Sequence, residues 1–395
     1  MSEIAVKKIP SVCLCLKLAY ITNVKKFEGI MRYEKTHDPW RIHIAQEGYT
    51  VRDLEQYASE LTGVIMSFLP SMEVLDFLIS HNKPIVFVDT RQLELPATYR
   101  RYGYVYMNNQ SIADMASEHL FARGFDRIAF VHDYFSSVYS IQRCDRLKEQ
   151  TLKSNRQFFE FGRRTPFTEP EGGPDDRELA HWLRSLPKPT GILAANDFRA
   201  RQILDICFTE GIDIPQDLAV LGVDDDSRIC NISKPTLSSI GPNSEYGGFL
   251  AARMLDKLMR GHRHNPKKFV YYEPTGIVSR RSTQRILTPN PLVRAALEYI
   301  WDTGWKNGNV ASTARHLRIS VRRLETVFRE VVGHTVVEEI QNTRYRQIVK
   351  LLRETDMSIA EITRQCGLTN KSNLIKKFRE RYGVTMGRFR KEQRE

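Results

Sequence analysis

The sequence predicts a two-lobed α/β body built on two doubly wound parallel sheets, followed by an all-α domain with two helix-turn-helix units. Three observations predict it. Residues 1–280 alternate short apolar runs with amphipathic stretches, whereas residues 291–395 read as helix throughout. One short basic segment is also written twice. "VRRLETVFREVVGHT" at 321–335 returns as "KSNLIKKFRERYGVT" at 371–385, with Leu324, Phe328, Arg329, Glu330, Gly333 and Thr335 repeated as Leu374, Phe378, Arg379, Glu380, Gly383 and Thr385.

The elements follow in order. "SVCLCL" (11–16) reads as a buried strand, and "NVKKFEGIMRYEKTH" after it as a helix. Strands are expected at "WRIHIA" (40–45), "GVIMSF" (63–68) and "PIVFVDT" (84–90), with helices at "RDLEQYASE" and "MEVLDFLIS" between them. Near-continuous apolar strands with helical crossovers imply a parallel sheet covered on both faces. The pattern then restarts: "YVYMNN", a helix over "SIADMASEHLFARGF", "RIAFVHD" (127–133), a helix from Ile141 towards Lys153, "QFFEFG", the helix "DDRELAHWLRSL", "GILAAND" (191–197), the helix "FRARQILDICFTEG" and "AVLGVDDD" (219–226). Two such halves in succession predict two lobes with a cleft between them.

In the tail, "PLVRAALEYIWDTG" opens with Pro291 in a first-turn position. "NVASTARHLRIS" and "VRRLETVFREVVG" form the first helix pair, about 309–333, with Ser320 as the cap of its second helix. "TVVEEIQNTRYRQIVKLLRE" is a long helix. "SIAEITRQCGLTN" and "KSNLIKKFRERYG" form the second pair, about 358–383, and "MGRFRKEQRE" closes the chain. Ser358 and Glu361 make a capping box, Gly367 falls at the turn, and Thr369 or Asn370 caps the next helix. Leu324, Val327, Phe328 and Val331 make one apolar stripe, and Leu374, Phe378 and Tyr382 the other. The domain division expected is 1–280 for the sensing body, 281–290 for a linker and 291–395 for the helical domain.

Charge assigns a role to the tail. Residues 285–395 carry 22 Lys and Arg against 12 Asp and Glu, so a net of +10 sits there out of +12 for the whole chain. A basic module on a near-neutral body is what polyanion binding requires. Each repeat presents a basic second helix fit for the major groove, and two units joined by one helix reach successive grooves about 34 Å apart. The exposed reader positions are Arg322, Arg323 and Thr326 in the first unit, and Lys371, Ser372, Asn373, Lys376 and Lys377 in the second.

Other classes are set aside. No uninterrupted apolar run approaches the roughly 20 residues of a spanning helix, and Lys17 interrupts the one leader-like stretch. The six cysteines make no C-x-x-C pair, so buried reduced thiols in a cytoplasm are expected. No nucleophile elbow, P-loop or dinucleotide fingerprint appears, and the "GG" pairs at 172–173 and 247–248 lie outside such motifs. Neither an enzyme, a cofactor nor a metal is expected; the Asp224–Asp226 trio has no further ligand group beside it.

The body instead offers polar strand ends, where ligands of parallel sheets bind. Asn196 and Asp197 close one strand, Asp224 another, and Asn108 a third, while Ser140 and Arg143 stand at a helix start. Amides, carboxylates and a guanidinium suit a polyol, because each hydroxyl both donates and accepts. Tyr20, Tyr134 and Phe135 are candidate aromatic faces for a sugar ring. Asp197 has a second reading, as a helix cap.

The text of the tail, "ASTARHLRISVRRLETVFREVVGHT" with "SIAEITRQCGLTNKSNLIKKFRERYGVTMGRFR", resembles the AraC/XylS-type DNA-binding domain. "ADMASEHLFARGFDRIAFV", "GILAANDFRARQIL" and "LAVLGVDDDSRICNISKPTLSSI" resemble the LacI-like, periplasmic-binding-protein-like sensor. Sensor first and reader last is the order of the xylose-type operon regulators. The resemblance implies sugar contacts at Arg143, Asn196 or Asp197, and Asp224, and base readers at Arg322, Arg323, Lys371 and Asn373. It also implies operator DNA and a small sugar as partners, a homodimer, and RNA polymerase as a further candidate partner. Asn108 departs from the family's usual Asp, which leaves the sugar open between xylose and another monosaccharide. Leu368 and Leu374 stand for phenylalanines, and Met386 for a proline. The alternative is an AraC-type regulator whose sensor takes a non-sugar ligand or a partner protein.

Overall fold

In the computed structural model the described residues run from 9 to 392, apart from 46–47, 91, 135–136, 163–175, 263–264, 266–268, 286–287, 289 and 369–370. The chain divides into two compact units, Met1–Arg285 and Ile286–Glu395.

The first unit contains two six-stranded sheets. Lobe 1 holds β1 (Ser11–Cys15), β2 (Arg41–Ala45), β3 (Leu61–Met66), β4 (Ile85–Val88), β5 (Tyr102–Met107) and β11 (Val270–Tyr272), ordered β11-β5-β4-β3-β1-β2. Lobe 2 holds β6 (Arg127–Val131), β7 (Gln157–Phe161), β8 (Thr190–Ala194), β9 (Leu218–Val223), β10 (Ser238–Gly241) and β12 (Gly276–Val278), ordered β12-β10-β9-β8-β6-β7. The pairings are parallel except β10–β12, which is antiparallel. The strands expected up to 226 are present. The last strand of lobe 1 and the last two of lobe 2 were not read from the sequence.

Among the described residues of this unit the helices are α1 (Ile21–Lys35), α2 (Val51–Glu55), α3 (Met72–Ser80), α4 (Asn109–Phe121), α5 (Val138–Lys153), α6 (Asp176–Ser185), α7 (Asp197–Thr209), α8 (Ser227–Cys230) and α9 (Ser244–Met259). The helix expected over 52–60 stops at Glu55, and Tyr57–Glu60 turn into β3. All six cysteines are free and buried.

The chain passes from lobe 1 to lobe 2 after β5, returns after β10, and passes again between β11 and β12. Helix α9 packs on α1 closely enough that its backbone nears that of α1 at Gly248. A Cβ on Gly248 would lie 2.0 Å from the Lys26 carbonyl oxygen, and one on Gly247 would lie 2.6 Å from the Tyr272 ring. The Gly-Gly pair therefore serves helix packing. It seats Lys26 and Tyr272 at the same edge of lobe 1.

The second unit is helical: α10 (Pro291–Tyr299), a π-turn (Ile300–Gly304), α11 (Trp305–Asn307), α12 (Val310–His316), α13 (Val321–Val332), α14 (Val336–Glu354), α15 (Ile359–Gln365), α16 (Lys371–Tyr382) and α17 (Met386–Glu392). It has two apolar cores. Leu324, Phe328, Val336 and Ile340 sit in one; Ile348, Leu352, Leu374 and Phe378 sit in the other. Helix α14 thus donates one end to each core, which is how a single helix joins two repeats. Val331 is a correction to the expected stripe: it is exposed, and Val332 packs in its place. Among the described residues no helix is long and apolar enough to cross a membrane.

Candidate ligand cleft and DNA-reading helices

The first turns of α5 and α7 set the lobe 2 side of the cleft. Asp133, just past β6, accepts from Ser137 N at 2.9 Å and from the Tyr139 hydroxyl at 2.8 Å, which fixes the start of α5. Arg143 then lies across that helix with its guanidinium 4.7 Å from the Tyr139 ring centre. Its Nε donates to Asn109 Oδ1 at 2.9 Å and its Nη1 to the Ala195 carbonyl at 2.6 Å. Asn196 caps α7 by accepting from Arg199 N at 2.9 Å, and its Nδ2 donates to the Tyr139 hydroxyl at 3.2 Å.

Asp224 follows β9 with φ +121, and Asp225 follows with φ +46. The Asp224 side chain is only partly accessible. Burial raises its carboxyl to about 6 against the opposing pull of Arg143 and Lys26. Those two cations belong to different lobes, so groups from both lobes act on one carboxylate.

On the lobe 1 side, Asp89 ends β4 with φ +53. It accepts from Met107 N at 2.7 Å and from the Tyr272 hydroxyl at 2.5 Å, and pairs with Lys26 Nζ at 2.8 Å. Lys26 is buried and also donates to Asn23 Oδ1 at 3.3 Å. Tyr20 and Phe198, both about half exposed, meet edge-on at 6.4 Å between ring centres, one from each lobe.

The structure therefore brings Arg143, Asn196, Asp224 and Tyr20 into this neighbourhood. It employs the other expected positions differently. Asp197 is fully buried, accepting from Ser239 Oγ at 2.6 Å and Asp226 N at 2.8 Å inside lobe 2. The helix cap proves to be Asn196, with Asp197 one residue further in. Ser140 is buried against His132 Nδ1 at 2.9 Å. Asn108 caps α4 and donates to Glu273 at 2.9 Å, tying two of the crossing segments together. Tyr134 lies under the Arg199 guanidinium at 4.6 Å, and Phe135 is outside the described residues. Sequence reading missed Lys26, Asp89, Tyr139, Phe198 and Tyr272, while Asn109, which closes "VYMNN" beside Asn108, was among the polar strand ends it named. Asp89 was within reach, since "PIVFVDT" ends a strand as the others do. Lys26 was not, since a lysine on an amphipathic helix reads as solvated.

Of the aspartate trio, Asp225 pairs with Arg280 at 2.8 Å and Asp226 caps α8. Metal-ligating chemistry lies elsewhere in lobe 2: donor atoms of His132, Cys144 and Glu160 fall within 4.8 Å of one another. His132 is hydrogen-bonded to both Ser140 and Glu160, so these donors are already matched without an ion.

In the second unit both reader helices stand at a turn built the same way. Ile319 N bonds back to the Ala314 carbonyl at 3.0 Å, as Leu368 N does to that of Thr363 at 3.0 Å. The left-handed residue is Arg318 at φ +55 in one turn and Gly367 at φ +66 in the other. Ser320 caps α13 by accepting from Arg323 N at 3.3 Å; the expected caps Thr369 and Asn370 are outside the described residues. Arg322, Arg323 and Thr326 are exposed on α13, and Ser372, Asn373, Lys376 and Lys377 on α16. The Lys371 side chain is outside the described set. Beneath α13, Glu339 accepts from Trp301 Nε1 at 2.6 Å, His334 Nε2 at 2.8 Å and Arg346 Nη2 at 2.5 Å.

Residues 117–283 match the periplasmic binding protein-like domain, and residues 313–392 match a helix-turn-helix domain. The chain is 29% identical over 385 residues to the xylose operon regulatory protein of Haemophilus influenzae, covering 95% of this chain and 98% of that one. It is 27% identical over 369 residues to the xylose operon regulatory protein of Escherichia coli K12, covering 92% of each. The solved structure of the xylose-binding transcription activator XylR matches with a TM-score of 0.72 at 25% identity, covering 98% of both chains. A CelR–cellobiose complex matches 70% of this chain and 86% of its own with a TM-score of 0.54 at 19% identity, a likeness of fold alone.

Proposed function

We propose, for a chain homologous along nearly its whole length to the xylose operon regulatory proteins, a mechanism in which a monosaccharide bridging the two lobes sets how the helix-turn-helix units engage DNA. The chain is a DNA-binding, sugar-responsive transcription regulator with a periplasmic-binding-protein-like sensor and a C-terminal AraC-type domain. Its homologues are transcription regulators rather than enzymes.

The observation that supports the sugar assignment is the convergence of charged groups from both lobes on the cleft. Arg143 and Asp224 come from lobe 2 and the Lys26–Asp89 pair from lobe 1, and both Arg143 and Lys26 act on the buried Asp224 carboxylate. A ring of hydroxyls supplies donors and acceptors to both sides at once. The effector is xylose or a monosaccharide of similar size. Its binding favours the closed arrangement of the lobes through the crossing segments at 108, 242–243 and 273–275. Arg322, Arg323, Lys371 and Asn373 read base edges, while Lys377 contacts phosphate.

Two chains act together on one operator, because linking two readers multiplies affinity through effective concentration. RNA polymerase is a further partner of the DNA-bound form, and the protein works in the cytoplasm. Calorimetry of the full chain against pentoses and hexoses, paired with DNA binding with and without each sugar, tests the proposal. No heat from any sugar and an unchanged DNA affinity would refute it.

A further inference from the structure

We propose that Arg280 is a positioning residue that ties the sugar-contact turn at Asp224 to the segment leading out of the sensor. Occupancy of the cleft then changes how residues 281–285 are held. This rests on the reading of the cleft given above.

The turn is unusual in its backbone. Asp224 at φ +121 and Asp225 at φ +46 are consecutive L-residues in conformations they rarely adopt. Such a turn is held by its contacts rather than by local preference. Asp224 N is bonded to the Ile240 carbonyl at 3.0 Å, and Asp225 N to Ser239 Oγ at 3.0 Å. The Asp225 carboxylate leaves the cleft and meets Arg280 Nη2 at 2.8 Å, with 6% of the Arg280 side chain and 24% of that of Asp225 exposed.

Arg280 is in turn part of the exit segment. Its Nη1 donates to the Leu237 carbonyl at 3.0 Å, and its backbone N donates to Ser238 Oγ at 2.7 Å. Ser238 N is bonded to Ser282 Oγ at 2.9 Å, and Ser282 Oγ to the Val220 carbonyl at 2.5 Å. Thr283 Oγ1 bonds His119 Nε2 at 2.9 Å and Ser238 Oγ at 2.8 Å. Two residues later, at Arg285, the sensing unit ends. The covalent path to the DNA-binding domain thus starts on the side chain that pairs with the neighbour of the cleft carboxylate. A change in the φ/ψ of Asp224 on sugar binding moves Asp225, and Arg280 carries the movement to 281–285.

Asp225→Asn removes the charge and keeps the shape; Arg280→Lys keeps the charge and loses the fork. Both are tested in the full chain with D-xylose as the probe and a duplex selected by the wild type. Expected for both variants is a D-xylose Kd and a sugar-free DNA Kd within threefold of wild type, with the sugar-induced change in DNA affinity reduced at least fivefold. Amide exchange at Ser282, Gln284 and Arg285 in the sugar-free Asp225→Asn chain rises at least tenfold. A full sugar response in both variants overturns the proposal. So does a loss of D-xylose affinity as large as the loss of response, which makes Asp225 a sugar contact instead. Should wild type bind no D-xylose, the reading of the cleft fails, and the exchange measurement alone decides Arg280: unchanged exchange at those amides overturns it.

Discussion

Arg143 Nε donates to Asn109 Oδ1 at 2.9 Å, so the guanidinium that rests on Tyr139 in lobe 2 also holds the first residue of the helix that follows the first crossing. A ligand group that reaches Arg143 is therefore one hydrogen bond from a hinge.

Arg143→Met is expected to abolish sugar binding and to destabilise the sensor by about 1–3 kcal/mol, since the Ala195 carbonyl and Asn109 lose a buried donor. Arg143→Lys should restore stability in part and sugar affinity hardly at all, because an ammonium cannot serve two acceptors in the fixed fork geometry. Denaturant unfolding and calorimetry on the same preparations check both.

Sugar affinity should depend on pH through Asp224, whose carboxyl burial pushes up to about 6. As an acceptor it must be ionised, so affinity is expected to rise from pH 5 to pH 7 and level off above. The sign for stability is opposite. A carboxyl raised in the folded state stabilises while protonated, and that contribution is lost as pH rises from about 4 through about 6. Asp224→Asn should thus stabilise the sugar-free sensor at pH 7 by about 1–2 kcal/mol after solvent screening, raising its melting temperature and flattening the pH profile. A sugar Kd constant from pH 5 to pH 8 would remove Asp224 from the contacts.

On the DNA side, Arg322→Ala is expected to cost about 1–3 kcal/mol on the specific duplex and far less on random DNA. Lys377→Ala should weaken both alike and lower the salt slope by about 1. Equal losses on both duplexes for Arg322→Ala would move it to the phosphate contacts.

Arg318 stands at φ +55 where the second turn has Gly367 at φ +66. Arg318→Gly should stabilise the helical unit by about 1 kcal/mol, since the side chain is exposed and only the left-handed penalty is relieved. The denaturant midpoint of the full chain's second transition reads this directly.

Glu339→Gln should destabilise the same unit by about 1–3 kcal/mol. Burial raises the Glu339 carboxyl, but bonds from Trp301, His334 and Arg346 outweigh it and leave it lowered. Its contribution is therefore present above the ordinary glutamate range and is lost as pH falls through the folded value. In the variant, the acid side of the stability profile should be shallower.

Most of the architecture was legible in the sequence because it is written in periodicity. Apolar runs of four to six residues such as "IVFV" and "LAVLGV" became buried strands, and the repeated Leu-x-x-x-Phe pattern became the two halves of a duplicated core. Caps were legible too: Ser320, Ser358 and Pro291 stand where local backbone chemistry requires them.

Local chemistry therefore determined the order of elements, the pair of basic helices and the polar strand ends proposed to face a ligand. Tertiary structure alone decided which polar groups point there. Asn196 and Asp197 are neighbours, yet one bonds Tyr139 and the other is enclosed against Ser239, because successive residues at a strand end leave it in different directions. Lys26 meets Asp89 from a helix on which α9 packs closely, where a Cβ on Gly248 would lie 2.0 Å from the Lys26 carbonyl oxygen, and neither approach is local in sequence. Such partners are set by long-range packing, and no local pattern encodes them.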